Sequence, residues 1–198
     1  MKNKNTFLTL LNVFKKKPKT KVFIDGDNAL RWALKQEGLD SFNSQIPSQM
    51  CQESVFFSAV LNAIKDYMSR FYFATGTIYI GFDPDIPESV MIVKELSSFG
   101  FRVRPVPVKK FTNGNGEKKV KNNTDMVMAV DILEESDSVN HVVIVTGDGD
   151  FIPVIDALVR KGKRVTVIGP EGQTALKLQW ACHEFISLTL DDLLNHVN

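Results

Sequence analysis

The sequence predicts a three-layer α/β domain, a mainly parallel central sheet with helices on both faces. Three observations lead there. Short β-branched runs alternate with longer segments of helical periodicity from about residue 20 onward. The first of those runs, Lys21-Val-Phe-Ile-Asp25, is apolar through its middle, as a buried strand requires. Several helical segments stop on a glycine, Gly38 and Gly100 among them, the residue that ends helices most readily.

Taken in order, a helix is expected over Asp27 to Glu37, then a polar surface loop from Leu39 to Gln49. Glu53 to Phe71 follows with one apolar stripe through Val55, Phe56, Ala59, Val60, Ala63, Ile64, Tyr67 and Met68, a long amphipathic helix. Thr77 to Phe82 reads as the second strand, Ile86 to Phe99 as a helix and Phe101 to Val108 as the third strand. Thr112-Asn-Gly-Asn-Gly-Glu117 makes an exposed tip of residues that tolerate positive φ. Thr124 to Glu135 is helical, with Thr124 placed to cap it. His141 to Thr146 is the fourth strand, Asp148 to Lys161 a helix and Arg164 to Ile168 the fifth strand. A helix near Thr174 to Ala181, a short strand at Glu184 to Ser187 and a terminal helix complete the chain. With no repeat and no linker, residues 21–198 read as one domain behind a separate segment, residues 1–20.

Of 198 residues, 43% are hydrophobic and 24% charged, which excludes bulk disorder, collagen and coiled coil. No apolar run reaches the roughly 18 residues of a membrane span. Lysine and arginine number 24 against 23 acids, a net charge of +1, so a polyanion site must come from uneven local charge. The two cysteines, Cys51 and Cys182, stand far apart in no metal-ligand spacing, which suits packing roles in a reducing, cytoplasmic setting. Near the start, Phe7, Leu10, Leu11 and Phe14 share a helical face ahead of Lys15-Lys16-Lys17-Pro18-Lys19. That pattern reads as a short helix docking on its own domain, with contact to a protein partner or a membrane surface as the alternative. A homodimer is compatible with the chain, though no residue pattern demands one.

The informative residues are acidic, and they sit where strands end. Asp25-Gly26-Asp27-Asn28 closes the first strand, and Thr146-Gly147-Asp148-Gly149-Asp150-Phe151 closes the fourth. Ligands of open α/β sheets bind outside the carboxyl ends of strands, where strand order reverses. If the two strands are neighbours there, Asp25, Asp148 and Asp150 converge. Two unit charges 4 Å apart repel by roughly 4 kcal/mol at an effective dielectric of 20. Such a cluster takes up protons or a cation, and oxygen donors without histidine or cysteine favour Mg²⁺ or Mn²⁺. Gly26, Gly147 and Gly149 would let the backbone turn tightly beneath the ion. The competing structural reading makes these aspartates helix caps. Asp125 opens the helix from Thr124 and is a further ligand candidate; Asp131 lies about 120° round that helix from it. Asp131 is therefore a supporting group behind the ligands or an internal hydrogen-bonding group.

These elements together resemble the NYN domain, the LabA-like branch of the PIN-like ribonuclease superfamily. The residues that carry the resemblance are Asp25 with Asn28, Asp125 with Asp131, and the Thr146 to Phe151 motif followed by Gly162-Lys163. The match runs from about Lys21 to Ile168. The resemblance implies strands in the order 3-2-1-4-5 and Mg²⁺- or Mn²⁺-dependent cleavage of RNA. The family often has Lys-Gly just before the middle aspartate, whereas this chain has Lys119-Val120-Lys121-Asn122-Asn123-Thr124.

Residues 101–121 carry seven cations, Arg102, Arg104, Lys109, Lys110, Lys118, Lys119 and Lys121, against one acid, Glu117. Beside an acidic metal pocket, that arm suits contact with RNA phosphates, and Phe111 at its tip suits stacking on a base. The expected reaction is metal-assisted endonucleolytic hydrolysis of phosphodiester bonds in single-stranded or structured RNA, with Asp25, Asp125, Asp148 and Asp150 holding the ion. Asn28 would hydrogen-bond a water or the phosphate, while Asp27, Asp131 and Thr146 support the ligands from behind. His141, His183 and His196 fall in no motif and read as surface or capping residues. Two rivals remain: a haloacid dehalogenase-like phosphatase with Asp25 as nucleophile and Asp27 as acid/base, and a non-catalytic RNA-binding or scaffold protein.

Overall fold

The computed structural model describes residues 19–36, 38, 55–70, 74–112, 114 and 118–197, without the side chains of 88 and 118–120. The expected N-terminal helix, Cys51, the loop from Leu39 to Gln49 and most of the Thr112 to Glu117 tip lie outside the described residues. The strands are β1 (Thr20–Asp25), β2 (Thr75–Phe82), β3 (Arg102–Pro107), β4 (Lys109–Thr112), β5 (Lys118–Lys121), β6 (His141–Val145), β7 (Arg164–Pro170) and β8 (Glu184–Leu188). The helices are α1 (Gly26–Gln36), α2 (Val55–Ser69), α3 (Pro87–Ser98), α4 (Thr124–Glu135), α5 (Ile152–Arg160), α6 (Leu176–Ala181) and α7 (Leu190–Leu194). A 3₁₀ turn, Gly149–Phe151, leads into α5.

The main sheet runs β3-β2-β1-β6-β7-β8, with every neighbouring pair parallel. Its first five strands stand in the expected 3-2-1-4-5 order, and β8 extends the far edge. Alternation along each central strand feeds two cores. Val22, Ile24, Val143 and Val145 face one core, packed by Leu30 and Ala33 of α1, Leu61 and Ile64 of α2, Leu96 of α3 and Leu193 of α7. Phe23, Val142 and Ile144 face the other, against Met128 and Ile132 of α4, Ile155 and Leu158 of α5 and Leu178 of α6. Strands covered on both sides must be apolar throughout, which is why β1 and β6 were legible as runs rather than alternations.

Gly100 ends the α3 segment at φ +84°, a conformation that L side chains rarely adopt. Gly26 serves differently from expectation. A Cβ there would lie 2.5 Å from the Tyr79 carbonyl oxygen, so glycine lets the start of α1 press against β2 rather than turn beneath an ion. His141 is also a correction. It is 1% exposed, set between Thr20 Oγ1 at 3.3 Å and Thr166 Oγ1 at 2.9 Å on the strands flanking β6. Burial, reinforced by the Arg164 charge, pulls its pKa down to about 4. His183 Nδ1 accepts from the Val165 N–H at 3.2 Å, and His196 bridges the Asp192 carbonyl and Asp66 Oδ2, both at 2.8 Å.

Candidate active site

β1 and β6 lie side by side where the strand order reverses. Ile24 registers with Val145, so the residues that follow, Asp25 and Thr146, meet at the carboxyl edge. Thr146 Oγ1 donates to Asp25 Oδ2 at 3.0 Å, and the Asn28 N–H donates to Asp25 Oδ1 at 2.9 Å, closing the first turn of α1. Asp25 is 3% exposed. Burial, with the neighbouring charges of Asp125 and Asp27, pushes its pKa up to about 7 despite both hydrogen bonds.

The second strand-end motif is stitched to the first. Asn28 Oδ1 accepts from the Gly147 N–H at 3.0 Å and so ties the second turn to α1. Thr146 Oγ1 accepts from the Asp148 N–H at 3.2 Å, and Asp148 Oδ1 accepts from the Asp150 N–H at 2.9 Å. Asp25 and Asp148 thus both cap a first turn. A carboxylate has about four lone-pair sites, so capping uses only part of each group.

Asp125 lies in the first turn of α4, its side chain in part open to solvent. Desolvation of the remainder, together with the charges of Asp148, Asp27 and Asp150, raises its pKa, while Arg31 pulls the other way. Asp25, Asp27, Asp125, Asp148 and Asp150 therefore share one electrostatic neighbourhood. Among the described residues, no three histidine, cysteine or acidic side chains close into a finished ligand set. The donors that converge are carboxylates and a threonine hydroxyl, without imidazole or thiolate, and their burial and mutual repulsion hold Asp25 and Asp125 toward the protonated form. That chemistry fits a hard divalent cation such as Mg²⁺ or Mn²⁺.

The start of α4 is fixed by Asp27 acting through Asn122, a residue that sequence reasoning missed. Asp27 accepts from the Gly81 N–H at 3.3 Å and from Asn122 Nδ2 at 2.5 Å. Asn122 Oδ1 in turn accepts from the Thr124 N–H at 3.0 Å and from the Thr124 hydroxyl. Thr124 is the first helical residue rather than the cap, and Asn123 in the cap position makes no side-chain capping bond. Asn122 does the capping because its side chain can close a turn onto the N–H two residues on. Arg31, also missed, acts on both Asp27 and Asp125. Its signal was spacing, four residues past Asp27 on one helix face.

Asp131 is engaged in internal contacts. Its Oδ2 accepts from the Tyr79 hydroxyl at 3.0 Å and lies 3.6 Å from Arg104 Nε. Burial and that carboxylate hold the Tyr79 phenol well above its ordinary pKa, as a neutral donor. The basic arm is likewise partly spent inside the protein. Arg102 stands 4.0 Å from Glu135, and Lys110 bridges Asp83 at 2.8 Å and Asp85 at 3.0 Å. The arm is an antiparallel ribbon of β4 and β5 in which Lys109 sits directly opposite Lys121. Among the described residues neither forms an ion pair. Lys118 and Lys119 lie on β5, and their side chains are outside the described set.

A parallel sheet with aspartates gathered at its switch point, joined by one from a helix start, defines the PIN-like class of nuclease folds. The chain belongs to the NYN-domain family of that class, matching it over residues 19–191. It is 30% identical over 95 residues to the low amplitude and bright protein LabA of Synechococcus elongatus. That match covers 47% of this chain and 51% of LabA, so the chain spans about half the length of this curated relative. A Vibrio parahaemolyticus protein of unknown function has a crystal structure similar to this one, with a TM-score of 0.64 at 19% identity. The likeness covers 89% of this chain and 96% of that one, and it shows the fold. Among the described residues, no helix is long and apolar enough to cross a membrane.

Proposed function

We propose that this chain is a Mg²⁺- or Mn²⁺-dependent ribonuclease, cutting phosphodiester bonds within RNA. What supports the reading is electrostatic proximity along one edge of the sheet: the charge of Asp125 acts on Asp25, and that of Asp148 acts on Asp125. Asp25, Asp125 and Asp148 would hold the ion, with Asp150 beside them. Bound there, the cation supplies charge neutralisation at the scissile phosphate and a more acidic attacking water. The chain's own residues do the positioning. Asn28 and Thr146 orient the Asp25 carboxylate, and Asn28 locks the Asp148 turn against α1. Asp27, through Asn122, sets the helix start that carries Asp125. Lys109 and Lys121, facing each other with like charge, are relieved by an anionic backbone lying between them.

The phosphatase rival needs an accessible nucleophile at Asp25 and a free acid/base at Asp27. Both Asp27 oxygens are bound by Gly81 and Asn122, which weighs against it. The test is labelled RNA incubated with the full chain and Mn²⁺, beside Asp25→Asn and Asp148→Asn. The expected result is cleavage by the wild type that chelation stops. Each variant should lose at least roughly 10- to 100-fold, the range seen when groups that merely support a ligand are removed. Cleavage at the wild-type rate by both folded variants would falsify the reading.

A further inference from the structure

Helix α6 carries side chains that its own packing does not use. Leu178 is fully buried, while Leu176, Lys177 and Trp180 are exposed; at about 100° per residue these three fall within one arc on the side away from Leu178. Trp180 is 77% exposed and Leu176 64%, whereas Trp32, the other tryptophan, is buried. The start of α6 is tied to the carboxylate edge. The Ala175 N–H donates to the Gly147 carbonyl at 3.2 Å, and a Cβ at Gly149 would lie 3.4 Å from the Ala175 Cβ. Trp180 is five residues on, about 7.5 Å along the helix axis. Lys177 stands on the same arc and forms no ion pair among the described residues.

Resting on the ribonuclease reading, we propose that Trp180, flanked by Leu176 and Lys177, is a stacking platform for an unpaired base of the RNA strand held at the carboxylates. The platform thereby engages an unpaired strand rather than a duplex. A base stacked inside a duplex has no free face, whereas an unpaired base offers one to the indole regardless of its identity. Lys177 is placed to hold the adjoining phosphate, a contact that fixes register without reading sequence. A specific protein interface buries roughly 1,000 Å², more than these three residues supply, so a second copy would have to engage neighbouring elements as well.

The test uses the full chain in EDTA, where RNA can bind without being cut. A short mixed-sequence single-stranded oligoribonucleotide is titrated against tryptophan fluorescence, with a duplex of the same length beside it. Because Trp32 is buried, quenching reports on Trp180, and Trp180→Phe shows the Trp32 signal alone. Trp180→Ala should weaken single-strand binding roughly tenfold or more and leave duplex binding unchanged, while Trp180→Phe retains most of the affinity. Equal affinity of Trp180→Ala and wild type for the single strand overturns the inference. So does equal quenching by the duplex, or a sedimentation change in Trp180→Ala that marks the face as a contact between copies. The two readings fail separately. Quenching without cleavage in Mn²⁺ removes the nuclease activity, whereas cleavage of single strands unaffected by Trp180→Ala removes only the platform.

Discussion

Asp125 and Asp131 stand six residues apart on one helix and do different work, and the difference follows from what each carboxylate touches. Asp125 shares its surroundings with Asp25, Asp27, Asp148 and Asp150, whereas Asp131 accepts from the Tyr79 hydroxyl and pairs with Arg104. Tyr79 has no exposed surface, so deleting its acceptor strands a buried donor. Asp131→Ala should therefore cost about 1–3 kcal/mol of stability and leave cleavage per folded molecule unchanged. The double variant Tyr79→Phe/Asp131→Ala, which removes donor and acceptor together, should regain much of that loss, because no unpaired group is left. Urea denaturation alongside RNA cleavage checks both statements. A single variant as stable as the wild type would show that the Tyr79 bond carries no net stability.

At the scale of elements, the link from Asp27 through Asn122 decides where α4 begins and so where Asp125 points. Gly81 makes the link possible, since a Cβ there would lie 2.5 Å from Asn122 Nδ2 and 3.2 Å from Asn122 Cγ. Gly81→Ala should push Asn122 off Asp27 and off the Thr124 N–H. Its expected signature is a smaller rise in Tm on adding Mn²⁺, while far-ultraviolet circular dichroism stays that of the wild type. An unchanged Mn²⁺ response would show that Asp125 is placed without Asn122. This link also marks the boundary of what the chain reveals before folding. β1, β6 and β7 were readable because doubly covered strands are written as apolar runs, and the strand-end aspartates stood out against them. The β4–β5 ribbon was foreseen as a basic arm or hairpin with an exposed tip but without its strand bounds, since its strands carry charge instead of alternation. Asn122 and Asp27 are 95 residues apart, and no local pattern announces that they touch. Thr124 and Asn122 are both residues that cap helices, so composition alone could not choose between them. Trp180 gave no signal because an isolated aromatic in a helix usually reads as core.

Across the whole molecule, two buried titrating groups sit at opposite ends of one strand pair, His141 at the amino edge and Asp25 at the carboxyl edge. Their effects on stability oppose each other. Folded Asp25, raised to about 7, keeps a proton that the unfolded chain has released, so its contribution is present at low pH and is lost as pH rises through 7. Asp27 and Asp125, also raised, act in the same direction. Folded His141, lowered to about 4, refuses a proton that the unfolded chain takes up below about 6.5, so its contribution is present above that pH and is lost as pH falls through 4. Asp25 and His141 are each worth on the order of 3–4 kcal/mol, so between pH 4 and 6.5 they roughly offset. In EDTA the wild-type stability should therefore fail to rise across that window, whereas Asp25→Asn, relieved of the largest opposing group, should gain stability with pH. A divalent cation reverses the balance, because it replaces the proton on Asp25 and binds only the ionised form. Added Mn²⁺ should raise the wild-type Tm more at pH 7.5 than at pH 5 and do little for Asp25→Asn at either. Parallel stability curves for the two proteins in EDTA would mean that the Asp25 proton is shared equally by folded and unfolded chains.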